Sequence, residues 1–91
     1  MRYIVCYDIA DDRRRQRLGD VLLDFGQRVE ESVFECSLEP SLAARMIDGV
    51  RAVVDTEEDK VLIYGLCENC TEKALVIGPV ERTQDAEFYI L

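Results

Sequence analysis

Two helical stripes, each apolar on one side only, restrict the architecture of this chain more than any other feature of its sequence. In the first, Leu18, Val21, Leu22 and Phe25 recur at i, i+3, i+4 and i+7. In the second, Leu42, Ala43, Met46, Ile47, Val50, Val53 and Val54 build an apolar face behind Pro40 and Ser41, with proline in its favoured first position. A helix with one apolar face needs one surface to lie on, and the segments around these helices read as strands. "RYIVCYDI" (2–9) is apolar on nearly both faces, as a central strand is. Phe34, Cys36 and Leu38 alternate with Glu35, Ser37 and Glu39, the pattern of a half-buried strand. Val29 and Val33 fall on the opposite parity, so a hairpin or a kink is required near Ser32. "KVLIYGL" (60–66) and the shorter "ALVIG" (74–78) complete the set.

The order strand, helix, strands, helix, strand, strand predicts an α+β fold. It is a ferredoxin-like βαββαβ two-layer sandwich with an additional C-terminal strand. Both helices are expected on one sheet face, leaving the other uncovered and suited to self-association. Asp11 or Asp12 is expected to cap the first helix and Gly26 to end it at C′. "DTEED" (55–59) reads as a solvated acidic loop. Residues 1–78 form the expected domain. Residues 79–91 are a linker followed by "EFYIL", a strand to be added to this chain's own sheet edge or a partner's.

A chain of 91 residues makes one domain, burying only about 60–65% of its unfolded surface, so a second subunit would help it. No apolar run approaches the roughly 20 residues that cross a bilayer, and "MRYIVCYDIA" meets charge too early for a signal peptide. The expectation is a cytoplasmic protein with no membrane contact and four free thiols. Cys6 and Cys36 lie in strand patterns and are expected to be buried. A net charge of −8 opposes indiscriminate nucleic-acid binding, because that affinity comes from Lys and Arg neutralising phosphates.

The absence of histidine excludes imidazole acid–base catalysis and His-ligated metals. There is no phosphate-cradling glycine motif and no nucleophile–base–orienter triad, so hydrolysis would require metal-activated water. Asp8, at the end of the first strand, is the candidate ligand. Magnesium is held by one or two carboxylates, waters and substrate phosphate, so a two-fold dimer bringing a second Asp8 would make a site. The plain alternative is a solvated strand-end acid. Arg13, Arg14, Arg15 and Arg17 follow within nine residues of Asp8. Guanidinium groups bind phosphate bidentately. The alternative is helix-surface pairing, Arg13 with Asp20 or Arg17 with Asp24, worth tenths of a kcal/mol. "CENC" (67–70) is half a zinc site or a redox pair. A redox pair is expected beside a helix N-terminus, a setting the sequence does not clearly give, and the plain reading is a cysteine-bearing loop.

Together, "YDIADDRRRQRL", "GQRVEESVFECSLEP" and "EEDKVLIYGLCENC" resemble the small second CRISPR-associated protein family, in order and over nearly the whole chain. The resemblance implies a homodimeric ferredoxin-like fold with metal-dependent endonuclease activity, on single-stranded RNA in some members and double-stranded DNA in others. It implies Mg²⁺, or Mn²⁺, held by Asp8 and shared between subunits. Positions tied to activity match Tyr7, Arg15, Arg17, Arg28 and Phe34; for Phe34, packing in the sheet is favoured over stacking on a base. It also implies a CRISPR integrase subunit as partner and nucleic acid, RNA or DNA, as ligand. The C-terminal segment would pair across the dimer or onto the integrase. Rival readings are a non-catalytic scaffold in the integrase complex, a toxin-type messenger ribonuclease on the same fold, and, last, a small redox or zinc protein.

Overall fold

Strand β1 (Arg2–Asp8) occupies an interior position in a four-stranded antiparallel sheet ordered β2-β3-β1-β4. A computed structural model describes residues 1–79 and the backbone of the strand Tyr89–Ile90. Chain order is β1, α1 (Asp12–Leu23), β2 (Gln27–Glu30), β3 (Val33–Ser37), α2 (Pro40–Val53), β4 (Lys60–Leu66), α3 (Glu68–Glu72), β5 (Leu75–Val76) and β6 (Tyr89–Ile90). The first six elements and their sheet order are the expected ferredoxin-like βαββαβ arrangement. β5 and β6 form a separate parallel pair within this chain, Leu75 opposite Tyr89 and Val76 opposite Ile90. The rest of the expected linker and tail lies outside the described residues.

The period-two pleat assigns the two sheet faces. Val5 and Tyr7 of β1 oppose Ile63 and Val61 of β4, and Val5 opposes Phe34 of β3. These side chains meet Leu18 and Leu22 of α1 and Ala43, Met46 and Val50 of α2 in one buried cluster. Both helices therefore cover one face. The other face carries Ile4, Cys6 and Asp8 of β1 beside Tyr64, Leu62 and Lys60 of β4. Leu62 is 56% and Tyr64 53% exposed. This face is not bare throughout: Arg2 and Glu35 are buried there, joined by an ion pair of 2.9 Å. Glu35, which alternation alone places on a polar strand face, is thus an interior charge with a cation beside it, as burial demands.

Local details follow expectation at some positions and depart from it at others. Asp11 is the N-cap of α1, its carboxylate accepting from the Arg14 amide at 2.9 Å. The helix closes at Asp24, so Gly26 is not a left-handed C′ residue. Gly26 is needed for a different reason: an added Cβ would meet the Glu35 carbonyl and lie 2.5 Å from Cys36 Sγ. Cys36 is buried as expected, whereas Cys6 is only half-buried, because its parity places it on the face without helices. The parity break has two sources, a tight turn at Glu31–Ser32 and a register shift between Arg28 and Glu30 that leaves Val29 as the extra residue. "ALVIG" contributes only Leu75 and Val76 to a strand, and "CENC" is no loop, since Cys67 caps the short helix α3. Among the described residues no helix is long and apolar enough to cross a membrane.

Candidate functional site

Asp8 is the last residue of β1 and is exposed, on the open face, opposite Lys60. Its placement follows from parity: it shares a face with Ile4 and Cys6, while Tyr7 points among the helices. Lys60, which opens "KVLIYGL", is a neighbour that sequence reasoning missed. The antiparallel pairing of two apolar strands, the interior β1 and the edge strand β4, was the signal that could have found this cross-strand couple of opposite charge.

The remaining expected site residues gather on the helix side. Tyr7 is 6% exposed and its hydroxyl donates to the Glu31 carbonyl at 3.0 Å. Its ring stacks on Phe34, centroids 6.3 Å apart. Arg28, opposite Phe34 in the β2–β3 ladder, lays its guanidinium 4.7 Å from the centre of the Phe34 ring. It also donates to the Glu31 carbonyl. Phe34 itself is fully buried, packed in the sheet between Tyr7 and Arg28. Gly19 of α1 leaves room for this arrangement, since a Cβ there would come 2.7 Å from the Arg28 terminal nitrogen. Arg15 turns back to donate to the Ile9 carbonyl at 3.0 Å and pairs with Asp12. Tyr7, Asp12, Arg15, Gln16, Arg28 and Glu31 line a recess of about 350 Å³. Asp8 is not among them. The expected constellation is therefore divided between the two faces of the sheet.

The arginine cluster is divided as well. Arg14 is held by the loop that reads as solvated: its Nε donates to Asp59 Oδ2 at 2.8 Å, and a terminal nitrogen reaches Asp59 Oδ1 and Glu58 Oε2, both at 3.2 Å. The Asp59 side chain is 1% exposed and also accepts the Asp55 amide at 2.8 Å. The hydrogen bond from Arg14, with the Asp55 amide second, holds the Asp59 carboxyl below the usual carboxylate range, and Asp59 in turn raises Arg14. Asp11 is lowered too, first by the Arg14 amide. Arg14 is thereby engaged within the fold. Arg13 and Arg17 are exposed, and no ion pair to Asp20 or Asp24 forms among the described residues. They are the cations of the cluster open to an outside anion.

No group of three or more potential ligands that could hold a metal occurs among the described residues. At the end of β1 one chain supplies Asp8, with Lys60 across the ladder. By itself that is too few oxygen ligands for a magnesium ion; the residues would fit one only where a second carboxylate and a phosphate completed the oxygen shell.

Residues 1–74 match the family model described as CRISPR associated protein Cas2. This chain belongs to the Cas2 family. It is 42% identical over 89 residues to the CRISPR-associated endoribonuclease Cas2 1 of Chloroflexus aurantiacus, covering 93% of this chain and 96% of that one. It is 34% identical to the CRISPR-associated endonuclease Cas2 2 of Thermus thermophilus, covering 93% and 92%. Among solved structures, it resembles the hypothetical protein TT1823 from Thermus thermophilus with a TM-score of 0.78 at 35% identity over 88% of this chain and 93% of that one. Streptococcus pyogenes Cas2 gives 0.70 at 30% identity, over 76% and 89%. A chain of a partial Cas6-RT-Cas1–Cas2 complex gives 0.69 at 27% identity, over 80% and 86%. The four-stranded sheet with its helices is thus the Cas2 fold.

Proposed function

We propose that this Cas2-family chain is a subunit of CRISPR adaptation that acts as a dimeric, magnesium-dependent endonuclease on single-stranded RNA or double-stranded DNA. The observation that carries the reading is Asp8: an exposed carboxylate at the end of the sheet's interior strand, on the one face whose apolar residues lack a helical cover. A second copy laid on Ile4, Cys6, Leu62 and Tyr64 would remove that surface from water and bring its own Asp8 to the same axis. Both carboxylates would then hold the ion. Bound there, it supplies charge neutralisation at the phosphodiester and a lower pKa for water. Lys60, opposite Asp8, adds positive charge at the same edge, and exposed Arg13 and Arg17 attract the nucleic-acid backbone. Tyr7, Phe34 and Arg28 stiffen β1 and the β2–β3 hairpin from behind, and Arg15 ties α1 to the strand end.

The test is hydrolysis of labelled single-stranded RNA and duplex DNA by purified protein, with Mg²⁺ or with EDTA, beside Asp8→Ala. Loss of cleavage in both EDTA and Asp8→Ala is expected; cleavage surviving both removes the metal mechanism.

A second reading, a non-catalytic scaffold for an integrase, is favoured by two observations. The likeness to a chain in a complex with Cas1 supports assembly with an integrase, and a net −8 chain with Arg14 committed to Asp59 has little cation to spare for free nucleic acid. Under it, Asp8→Ala leaves spacer acquisition intact, whereas reversing Arg13 and Arg17 to Glu, or deleting residues 86–91, abolishes it.

A further inference from the structure

The two thiols of "CENC" are used by none of the chemistry above, and they are not placed as a plain surface pair. Cys67 is the N-cap of α3 and Cys70 the third residue of that helix. Three residues apart on one helical turn, their Cα atoms lie about 5 Å apart, within the span a disulfide requires. Both are free and exposed. The turn is held by the Thr71 amide and hydroxyl, which donate to the Cys67 carbonyl at 2.9 and 3.1 Å. Cys67, and not Cys70, also opens on a recess of about 470 Å³ lined by Arg2, Ser37, Leu66, Glu68 and Thr71.

We infer that Cys67 and Cys70 form a dithiol exchange site, with Cys67 as the attacking sulfur, Cys70 as the resolving one, and low-molecular-weight disulfides as the ligand. Thiolate chemistry separates their roles. The backbone N–H of Cys70 and then its thiol lower the Cys67 pKa, while Cys67 raises that of Cys70. The Cys67 thiolate attacks one sulfur of the disulfide in the recess, the S–S bond breaks, and one thiolate leaves and takes up a proton. The Cys70 thiol then loses its proton and attacks Cys67 Sγ, expelling the second thiol. Two electrons and two protons pass from the protein to the small disulfide, leaving a Cys67–Cys70 bond. The other cysteines stay out of this exchange: Cys6 lies in the middle of β1, and Cys36 is fully buried, with burial pushing its pKa up to about 11. The site is independent of Asp8 and of whether the protein cleaves nucleic acid.

Reduced full-length protein treated with oxidised glutathione, followed by peptide mass spectrometry, tests it. The expected product is a 67–70 disulfide with Cys36 unmodified. Cys70→Ser is expected to retain a glutathione adduct at Cys67, and Cys67→Ser, which puts a favoured N-cap residue at the start of α3, to react at Cys70 at least about tenfold more slowly. Equal adduct rates at Cys67 and Cys70 in the single variants, or a wild-type chain that keeps both thiols, overturns the inference. Zinc added alone, protecting both thiols at one ion per two chains, would also overturn it in favour of a shared metal site.

Discussion

Tyr7 and Asp8 are consecutive residues, yet the sheet gives them opposite surroundings. On the helix side, Tyr7 and Arg28 close over Phe34, and three polar tips are engaged within the fold: those of Tyr7 and Arg28 by the Glu31 carbonyl, and that of Arg15 by the Ile9 carbonyl and Asp12. On the open side, Asp8 is exposed, with a lysine across the ladder and exposed leucine and tyrosine along the same strand pair. A motif that runs through both faces therefore contains two kinds of residue. One kind builds the frame, and the other is presented to whatever docks on the frame.

The frame is most sensitive where it is densest. Phe34→Ala removes a fully buried ring that supports both Tyr7 and Arg28, and should cost about 3–5 kcal/mol in a denaturant titration. In a domain this small, that is a large fraction of total stability. A loss of activity without such a loss of stability would put Phe34 on the substrate side instead. Asp8→Ala should do the reverse: melting within about 0.5 kcal/mol of the parent, and Mg²⁺-dependent cleavage down by about 100-fold or more. Leu62→Glu places a charge on the exposed apolar strip and should convert dimer to monomer in sedimentation, with cleavage lost in proportion.

The Arg14–Asp59 clasp sharpens the boundary between the two faces. Arg14→Ala should lower the melting temperature more than Arg13→Ala or Arg17→Ala. The sign with pH follows from Asp59: its folded pKa is depressed, so the clasp's contribution is present above the ordinary Asp range and is lost as pH falls through the folded value. The gap between Arg14→Ala and parent melts should therefore close at acid pH; a gap that widens there would place the stabilisation elsewhere. Smallest is Arg17→Ala. It should leave melting unchanged and reduce the salt dependence of nucleic-acid binding by about one phosphate contact.

The fold was readable because its information is local. The stripes of α1 and α2, Pro40 at the helix start and the alternation of Phe34 and Cys36 each point to the same sandwich, and the structure realises them. The site was readable only in part. Asp8 as a strand-end acid followed from the pattern. That it stands apart from Tyr7 and Arg28 follows from the pleat, once β1 is known to be covered by helices on one side only. The partnership of Arg14 with Asp59 joins residues 45 positions apart, and no periodicity links a basic helix start to an acidic loop. The same distance problem hid Glu35, whose partner Arg2 is 33 residues away and turns an apparently solvated acid into a buried one. Gly26 stands out in the sequence as a helix end, but its demand comes from the packing of β3 against it.

On the proposed function, the open face carries half a cation site, completed by an identical half. Titration calorimetry of Mn²⁺ into the purified protein, with its oligomeric state measured in the same buffer, tests this most directly. One ion per two chains, abolished by Asp8→Ala while the dimer persists, is the predicted result. One ion per chain, or binding that Asp8→Ala leaves unchanged, would contradict it.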